Sequence, residues 1–347
     1  MVLRVCFPIV LQIHSQEVQC RLLVNIEWPD EPLPNGKKRN GRPITSKQIA
    51  LLVTLRKLAT QSDFYSIGME FDIATGTAYH LRQRMMITLL DTFGPTYFPF
   101  PTTKHECGLR AEQFTNLTNT AIPGIVGALD GCHIRWVPAR FTTHRHQYFN
   151  RKGYCSIVAI AIVDALTRFT FMNVSCPGSC HDAWAYQYAG TLPMLDRCVS
   201  DGFYVVADSA FPISHRCLTP FRRPIRQQAH SRFNTQLSRA RVQVERAFGL
   251  LKGRWRCLRE LNCKLELVPR YVFTCALLHN ICIDHHDICD EAPWYDEIEQ
   301  EEIRNREQDY EDNQIYHLDN DDLPAEGHGF GPHDGEAMRD VIVNHLG

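Results

Sequence analysis

The chain reads as an α/β protein with a small all-helical part ahead of its core, and three observations carry that reading. Residues 120–283 alternate short apolar, β-branched runs with longer helical patterns, the signature of strands and helices packed in layers. Residues 44–92 carry helical patterns alone. Residues 285–347 are polar and acidic, with one short helical stretch at Glu336–Leu346. With 44% hydrophobic residues over 347 positions, the chain has material for a sizeable core and length for two domains.

The first 43 residues open with Met1–Ile13, MVLRVCFPIVLQI, loosely like a secretory signal but without a small-residue cleavage site. A buried helix or strand, or an altered gene start, is the expectation there. The stretch PDEPLPNGKKRNGRP that follows is rich in Pro, Gly and Asn and reads as a linker; its KKR is more simply a solvated turn than a nuclear-import signal. Ser46 is placed to cap a helix that carries Ile49, Leu52, Leu55 and Leu58 on one side. A short helix near Phe64–Phe71, the turn Asp72–Gly76 and a helix over Thr77–Leu90 complete a pattern resembling a helix-turn-helix. Its last helix is expected to present His80, Arg82 and Arg84, types that contact phosphates and base edges, although small helical bundles share the pattern.

In the α/β part, strands are predicted at Gly124–Leu129, Ser156–Val163, Phe169–Val174 and Phe203–Ala207, and helices at Asp182–Ala189, Ser231–Leu258 and Arg270–Asp284. The domain reading is therefore a linker-bearing segment over 1–43, a helical domain over 44–92, an α/β domain over 93–284 and an acidic, flexible tail over 285–347.

Composition excludes several classes. No apolar run reaches the roughly eighteen residues of a transmembrane helix. The 14 cysteines include no C-x-x-C pair, and several sit singly in apolar runs (Cys257, Cys275, Cys282), as reduced thiols of the cytosol or nucleus do. Cys176, Cys180 and His181 offer half of a zinc site, but no second half with ligand spacing accompanies them. The net charge of -2 hides a partition: residues 284–347 hold 20 Asp or Glu against 3 Arg, which leaves 34 basic and 19 acidic residues in 1–283. A basic body suggests a polyanion-binding surface; the tail is either simply solvated, the safer reading, or a shield for that surface.

Three acids stand out. Asp130 closes the apolar stretch GIVGAL and Asp208 closes FYVVA. An unpaired buried charge is costly, so a carboxylate at the end of a buried strand points to chemistry rather than packing. Two such strands side by side would bring both carboxylates to one metal ion. Between Asp208 and Glu260 stand 12 Lys or Arg and a single acid, Glu245. On its helix the core stripe is Leu237, Val244, Phe248, Leu251 and Trp255, and Glu245 lies one position off it, in line with Arg241, Gly249 and Lys252. Glu245 either completes a metal site or forms a helical ion pair with Arg241 four residues before it. A carboxylate trio suits Mg²⁺ or Mn²⁺ and phosphodiester chemistry, with Arg241, Arg246, Lys252 and Arg254 offsetting phosphate charge.

The runs GALDGCHI, NRKGYCSIVAIAIVD, PGSCHDAWAY, ADSAFP and VERAFGLLKGRWRCL, in this order, resemble the successive motif blocks of PIF/Harbinger-type transposases and their domesticated nuclease relatives. The helix-turn-helix-like segment before them and HNICIDHHD after them extend the resemblance over roughly residues 45–285. It implies an RNase H-like core, a mixed sheet with Asp130 on the first strand, Asp208 on the fourth and Glu245 on a following helix. It implies that these three residues are catalytic and hold a divalent metal cation, Mg²⁺ or Mn²⁺. Asp182 then either supports the metal site or caps its helix, the cap being favoured. DNA as substrate, a Myb-like DNA-binding partner protein, room for a homo-oligomer, and work in the nucleus with the cytoplasm as second location also follow from the resemblance.

Cys132 stands where the family usually has Thr or Ser, and Phe211 where Tyr is common; neither removes a ligand. The segment before residue 44 matches poorly, which puts DNA targeting in doubt more than cleavage. Three functions compete: a metal-dependent DNA endonuclease, a catalytically silent DNA-binding or adaptor protein that keeps the fold, and, more remotely, an RNase or other phosphodiesterase.

Overall fold

The computed structural model describes residues 16–26, 28, 46–139, 142–222, 225, 227–287 and 332–346. The opening Met1–Ile13, the linker with its KKR, and residues 288–331 of the acidic tail lie outside the described residues. In chain order the elements are α1 (Gln16–Asn25), α2 (Lys47–Ala59), α3 (Phe64–Glu70), α4 (Thr75–Tyr97), α5 (Lys104–Thr118), β1 (Ile125–Arg135), β2 (Ser156–Val163) and β3 (Phe169–Pro177). Then come α6 (Asp182–Tyr188), α7 (Thr191–Cys198), β4 (Tyr204–Val206), β5 (Cys217–Leu218), α8 (Gln228–Arg254), α9 (Val268–Asp284) and α10 (Pro332–Leu346). They group into two compact units, one drawn from Met1–Pro99, Ile134–Ile157 and Leu250–Ala292, the other from Phe100–His133, Val158–Gly249 and Pro293–Gly347.

In the first unit Ser46 caps α2 as its position suggests, its Oγ accepting from Ile49 N at 3.4 Å. Helix α4 runs a full turn and more past the expected Leu90. Asn280 Nδ2 donates to Tyr97 O at 2.6 Å, tying the end of α4 to α9. The helices of residues 46–97 do not stand apart as the sequence suggested: α4 packs on α2, α3 and α9. Ala78, Arg82, Met85, Met86 and Leu89 of α4 are all buried, and a stripe of that kind needs an apolar partner. Helix α9, buried on nearly all sides, supplies one.

That stripe corrects one expectation. Arg82, read as an exposed DNA contact, is 1% exposed. Its position four residues after Ala78 and four before Met86 puts it on the core face, where its guanidinium lies over the rings of Tyr79, Tyr271 and Phe64 at 4.7, 4.9 and 5.1 Å. Arg84 is half-buried over the Trp28 ring at 4.6 Å, and His80 is exposed.

The second unit is built around a five-stranded mixed sheet in the order β3-β2-β1-β4-β5. All eight residues of β2 are buried, as a strand covered on both faces requires. Asp164 fixes the turn that returns the chain into β3: its buried carboxylate accepts from Arg110 at 2.6 Å, from Arg168 Nε at 2.8 Å, and from the amides of Leu166 and Arg168 at 2.9 Å. Cys107 of α5, Ala185 and Tyr186 of α6 and Leu195 of α7 share one core with Val126, Leu129, Ile160 and Val205 of the sheet. Phe248 of α8 meets Phe169 of β3 at 5.5 Å between ring centroids. Strands β2 and β3 and helices α6, α8 and α9 lie close to their predicted spans, while α5, α7 and β5 were not anticipated. Helix α10 packs beside β5: Ile342 and Val343 are buried, and Arg339 lies 3.8 Å over the Phe221 ring.

Strand β1 carries the main departure. It continues to Arg135, so Asp130 lies inside the strand rather than at its end. Strands β1 and β4 pair in parallel, with Ile125 opposite Tyr204, Gly127 opposite Val205 and Ala128 opposite Val206. Between the first two pairs β1 advances two residues while β4 advances one, which is a β-bulge at Val126. Gly127 makes the close approach possible, because a Cβ there would collide with Ile162 Cγ2 and sit 3.4 Å from Val205 Cγ1. Gly127→Ala is expected to destabilise the fold by about 1–3 kcal/mol, the usual cost of overpacking a core. The midpoint of urea unfolding measures it, and an unchanged midpoint would show that the bulge has slack.

Candidate active site

Side chains alternate between the two faces of a strand, so a residue two positions along returns to the same face. Asp130 lies two residues past Ala128 and Asp208 two residues past Val206, and Ala128 and Val206 are partners. Carried two residues on, this register aligns Asp130 with Asp208, which lies just past the end of β4 before the turn. The bulge decides this. Extended without it, the Ile125–Tyr204 pairing would set Asp130 opposite Ser209 and turn the two carboxylates to opposite faces.

Each carboxylate is oriented by local backbone. Asp130 Oδ1 accepts from Gly131 N at 2.8 Å, and Asp208 Oδ1 accepts from Ala210 N at 2.8 Å. The chain turns directly after Asp208, where Phe211 N donates to its carbonyl oxygen at 3.3 Å. Phe211 is buried and meets Tyr186 of α6 edge-on at 6.0 Å, which anchors the turn. Cys217 of β5 lies close to Asp208; burial first, and then the charge of Asp208, pushes its thiol up to about 12. It stays a neutral thiol at physiological pH. Phe211, at the position where Tyr is usual, serves this packing without a hydroxyl.

Asp182 lies against the neighbouring residue of β1. A Cβ on Gly131 would sit 3.0 Å from Asp182 Oδ1, so this carboxylate fills the space that the glycine leaves open, on the face to which Gly131 rather than Asp130 turns. The cap reading of Asp182 is corrected: His181 occupies the cap position of α6 and Asp182 is the first helical residue.

Glu245 takes the other of its two expected courses. Arg241 Nη2 lies 3.2 Å from Glu245 Oε1, the ion pair that four-residue spacing on a helix favours. Among the described residues no group of three or more His, Cys, Asp or Glu is arranged to hold a metal ion. The β1–β4 register thus aligns Asp130 with Asp208, while Asp182 lies against Gly131 and Glu245 stays on Arg241. The CPGSCH segment shows no zinc set either, and its Cys176 thiol is pushed up to about 11 by burial.

The cations expected to face phosphate are divided. Arg246 is exposed, whereas Arg241, Lys252 and Arg254 are buried at 9%, 3% and 5% exposure. Lys252 and Arg254 fall in the run Leu251–Trp255, where every residue is buried, so a one-sided picture of α8 fails at its last turn. Arg254 Nη1 pairs there with the buried Asp287 carboxylate at 3.4 Å. A buried arginine with a carboxylate partner is a structural element, not a phosphate contact.

Comparison with known proteins bears on the same stretch. Residues 129–280, which include all four acids, match the DDE superfamily endonuclease family. An ALP1-like protein of Arabidopsis thaliana is 26% identical over 282 residues, covering 76% of this chain and 67% of that protein. HARBI1 of Bos taurus, a candidate nuclease by its name, is 25% identical over 193 residues, covering 54% of each chain. The protein Antagonist of Like Heterochromatin Protein 1 of Arabidopsis thaliana is 24% identical over 262 residues. The chain thus spans about half the length of the HARBI1 protein it matches. No solved structure matches it. The DDE endonuclease match begins one residue before Asp130 and leaves out the helices of residues 46–97.

Gly131→Ala tests the contact with Asp182. The new methyl, 3.0 Å from Asp182 Oδ1 and 3.2 Å from Ile160 Cδ1, is expected to displace the Asp182 carboxylate and to destabilise the fold by about 1 kcal/mol. The midpoint of urea unfolding measures it, and an unchanged midpoint would show that Asp182 moves aside freely.

Proposed function

We propose that the chain is a divalent-metal-dependent DNA endonuclease with an RNase H-like core, in which Asp130, Asp208 and Glu245 are the catalytic carboxylates. The observation that carries this reading is the β1–β4 register, with Asp130 and Asp208 aligned and a third acid, Asp182, against Gly131. The donor set fits a hard cation, because it is all oxygen. Asp130 and Asp208 would hold Mg²⁺ or Mn²⁺ first, and Glu245 would join them on giving up Arg241. That exchange breaks a pair whose Arg241 side chain is only 11% exposed, so binding of the cation has to offset the loss. Ions bound there would make a water or 3′-hydroxyl a stronger nucleophile and stabilise the leaving oxygen of an in-line displacement.

The protein's own part is positioning and charge. Backbone amides at Gly131 and Ala210 hold one oxygen of each aspartate, which limits their rotation and keeps the pair converged. Asp182 adds negative potential across β1 from Asp130. The exposed Arg246, next to Glu245 on α8, is then the cation placed to meet phosphate. A Myb-like partner that brings the enzyme to its DNA, action in the nucleus, and sequence reading by the helices of residues 46–97 belong to the same proposal.

A second reading, a catalytically silent DNA-binding adaptor, draws on the Arg241–Glu245 pair itself. A nicking assay on supercoiled plasmid with Mg²⁺ or Mn²⁺ separates the two. Nicking is expected to vanish with chelator and to fall at least about 100-fold in Asp208→Asn and Asp130→Asn, since loss of residues that merely support a metal already costs about 10–100-fold. No nicking by the unaltered chain favours the adaptor, and equal nicking by the variants means contamination. RNA offered in place of DNA tests the remaining alternative.

A further inference from the structure

Several cations read as phosphate contacts are buried, so a polyanion-binding surface on the basic residues 1–283 is to be sought elsewhere. Between Asp130 and Asp164 the chain has no acidic residue and five Lys or Arg: Arg135, Arg140, Arg145, Arg151 and Lys152. Within it, His144, Arg145, His146 and Arg151 are exposed, and so is Phe149 at 51%. A run of charge is usually just solvated chain. This one is held in a single shape.

Asn150, 3% exposed, is its pin. Asn150 Oδ1 accepts from Lys152 N at 2.9 Å and Tyr154 N at 3.4 Å, and Asn150 Nδ2 donates to Ser156 Oγ at 2.8 Å. Asn150 N donates to Tyr154 O at 2.9 Å and Gly153 N to Asn150 O at 3.1 Å, with Gly153 at φ 85 allowing the tight turn. Tyr148 packs edge-on against Trp136 at 5.0 Å, and Trp136 Nε1 donates to Cys263 O at 2.9 Å. One buried amide thus organises the turn that carries Arg151, while Arg145 sits on the single-turn helix Arg145–Tyr148 before it. The nearby Glu260 is engaged by Arg135 at 3.2 Å.

Rigid presentation of cations lowers the entropy lost on binding, and an exposed aromatic ring among cations suits a sugar–phosphate chain better than it suits water. We propose that residues 142–152 form a DNA backbone-binding surface, with Arg145 and Arg151 contacting phosphates. The proposal rests on the nuclease reading for its choice of DNA, but binding is measured without cleavage, so the two fail separately.

The test is fluorescence anisotropy of a labelled duplex in Ca²⁺ or chelator across a range of salt. Arg145→Ala/Arg151→Ala is expected to weaken binding about tenfold and to reduce the slope of log affinity against log salt by about 2, one per lost phosphate contact. Arg145→Lys/Arg151→Lys keeps the charge and should keep the slope. Lys104→Ala/Arg197→Ala, an equal loss of exposed charge on α5 and α7, should leave both quantities near those of the parent. The proposal is overturned if the Arg145/Arg151 alanine variant binds with unchanged affinity and slope, if the Lys104/Arg197 control loses as much, or if the unaltered chain binds no duplex. Parental stability of each variant, read from its unfolding midpoint, keeps misfolding out of the comparison.

Discussion

The alignment of Asp130 with Asp208 depends on one local feature of the sheet, the extra residue that β1 inserts before Gly127. Side chains alternate along a strand, so a displacement of one residue between β1 and β4 is not a small error but a change of face. The bulge converts an Ile125–Tyr204 pairing into an Ala128–Val206 pairing, and only the latter continues into adjacent carboxylates. Gly127, lacking a side chain against Ile162, permits the bulge. Gly131 leaves room for Asp182, and the Phe211–Tyr186 contact fixes the turn after Asp208. Two glycines with no chemistry of their own thus govern how β1 lies against β4 and where Asp182 fits.

Charge is distributed around this arrangement in an orderly way. Cations placed in the cores are compensated: Arg254 by Asp287, Arg82 by three aromatic faces, and Arg110 and Arg168 by Asp164. A buried guanidinium without such company would cost several kcal/mol. The acids of the candidate site are less deeply placed. Asp130, Asp182 and Asp208 are half-buried, and burial, followed by the charge of Asp208, pushes up the Cys217 thiol beside it. Arg241 holds Glu245.

Much of this was legible in the residues. Strand β2, eight apolar or small residues flanked by turn signals, could only be a covered strand, and the stripe of α8 from Leu237 to Trp255 is buried as its spacing requires. The capping box of α5, Thr103 with Glu106, was equally readable and was passed over. Arg82 shares a face with Ala78, Met85 and Leu89, so helical spacing alone would have moved it from the DNA surface to the core. The bulge was not readable, because GIVGALDG gives no sign of which residue goes unpaired. The burial of Lys252 and Arg254 depends on residues such as Asp287, far along the chain, and no local pattern announces it. Arg145 and Arg151 gained significance only once the other cations were found inside.

The most direct test is to locate the cation itself. In crystals grown with Mn²⁺ and a short DNA duplex, anomalous scattering is expected to place manganese between Asp130 and Asp208, within about 2.0–2.3 Å of an oxygen from each. Glu245 should then be turned away from Arg241. Manganese bound at other residues, or bound to only one of the two aspartates with the other facing the opposite side of the sheet, would contradict the register on which the catalytic reading stands.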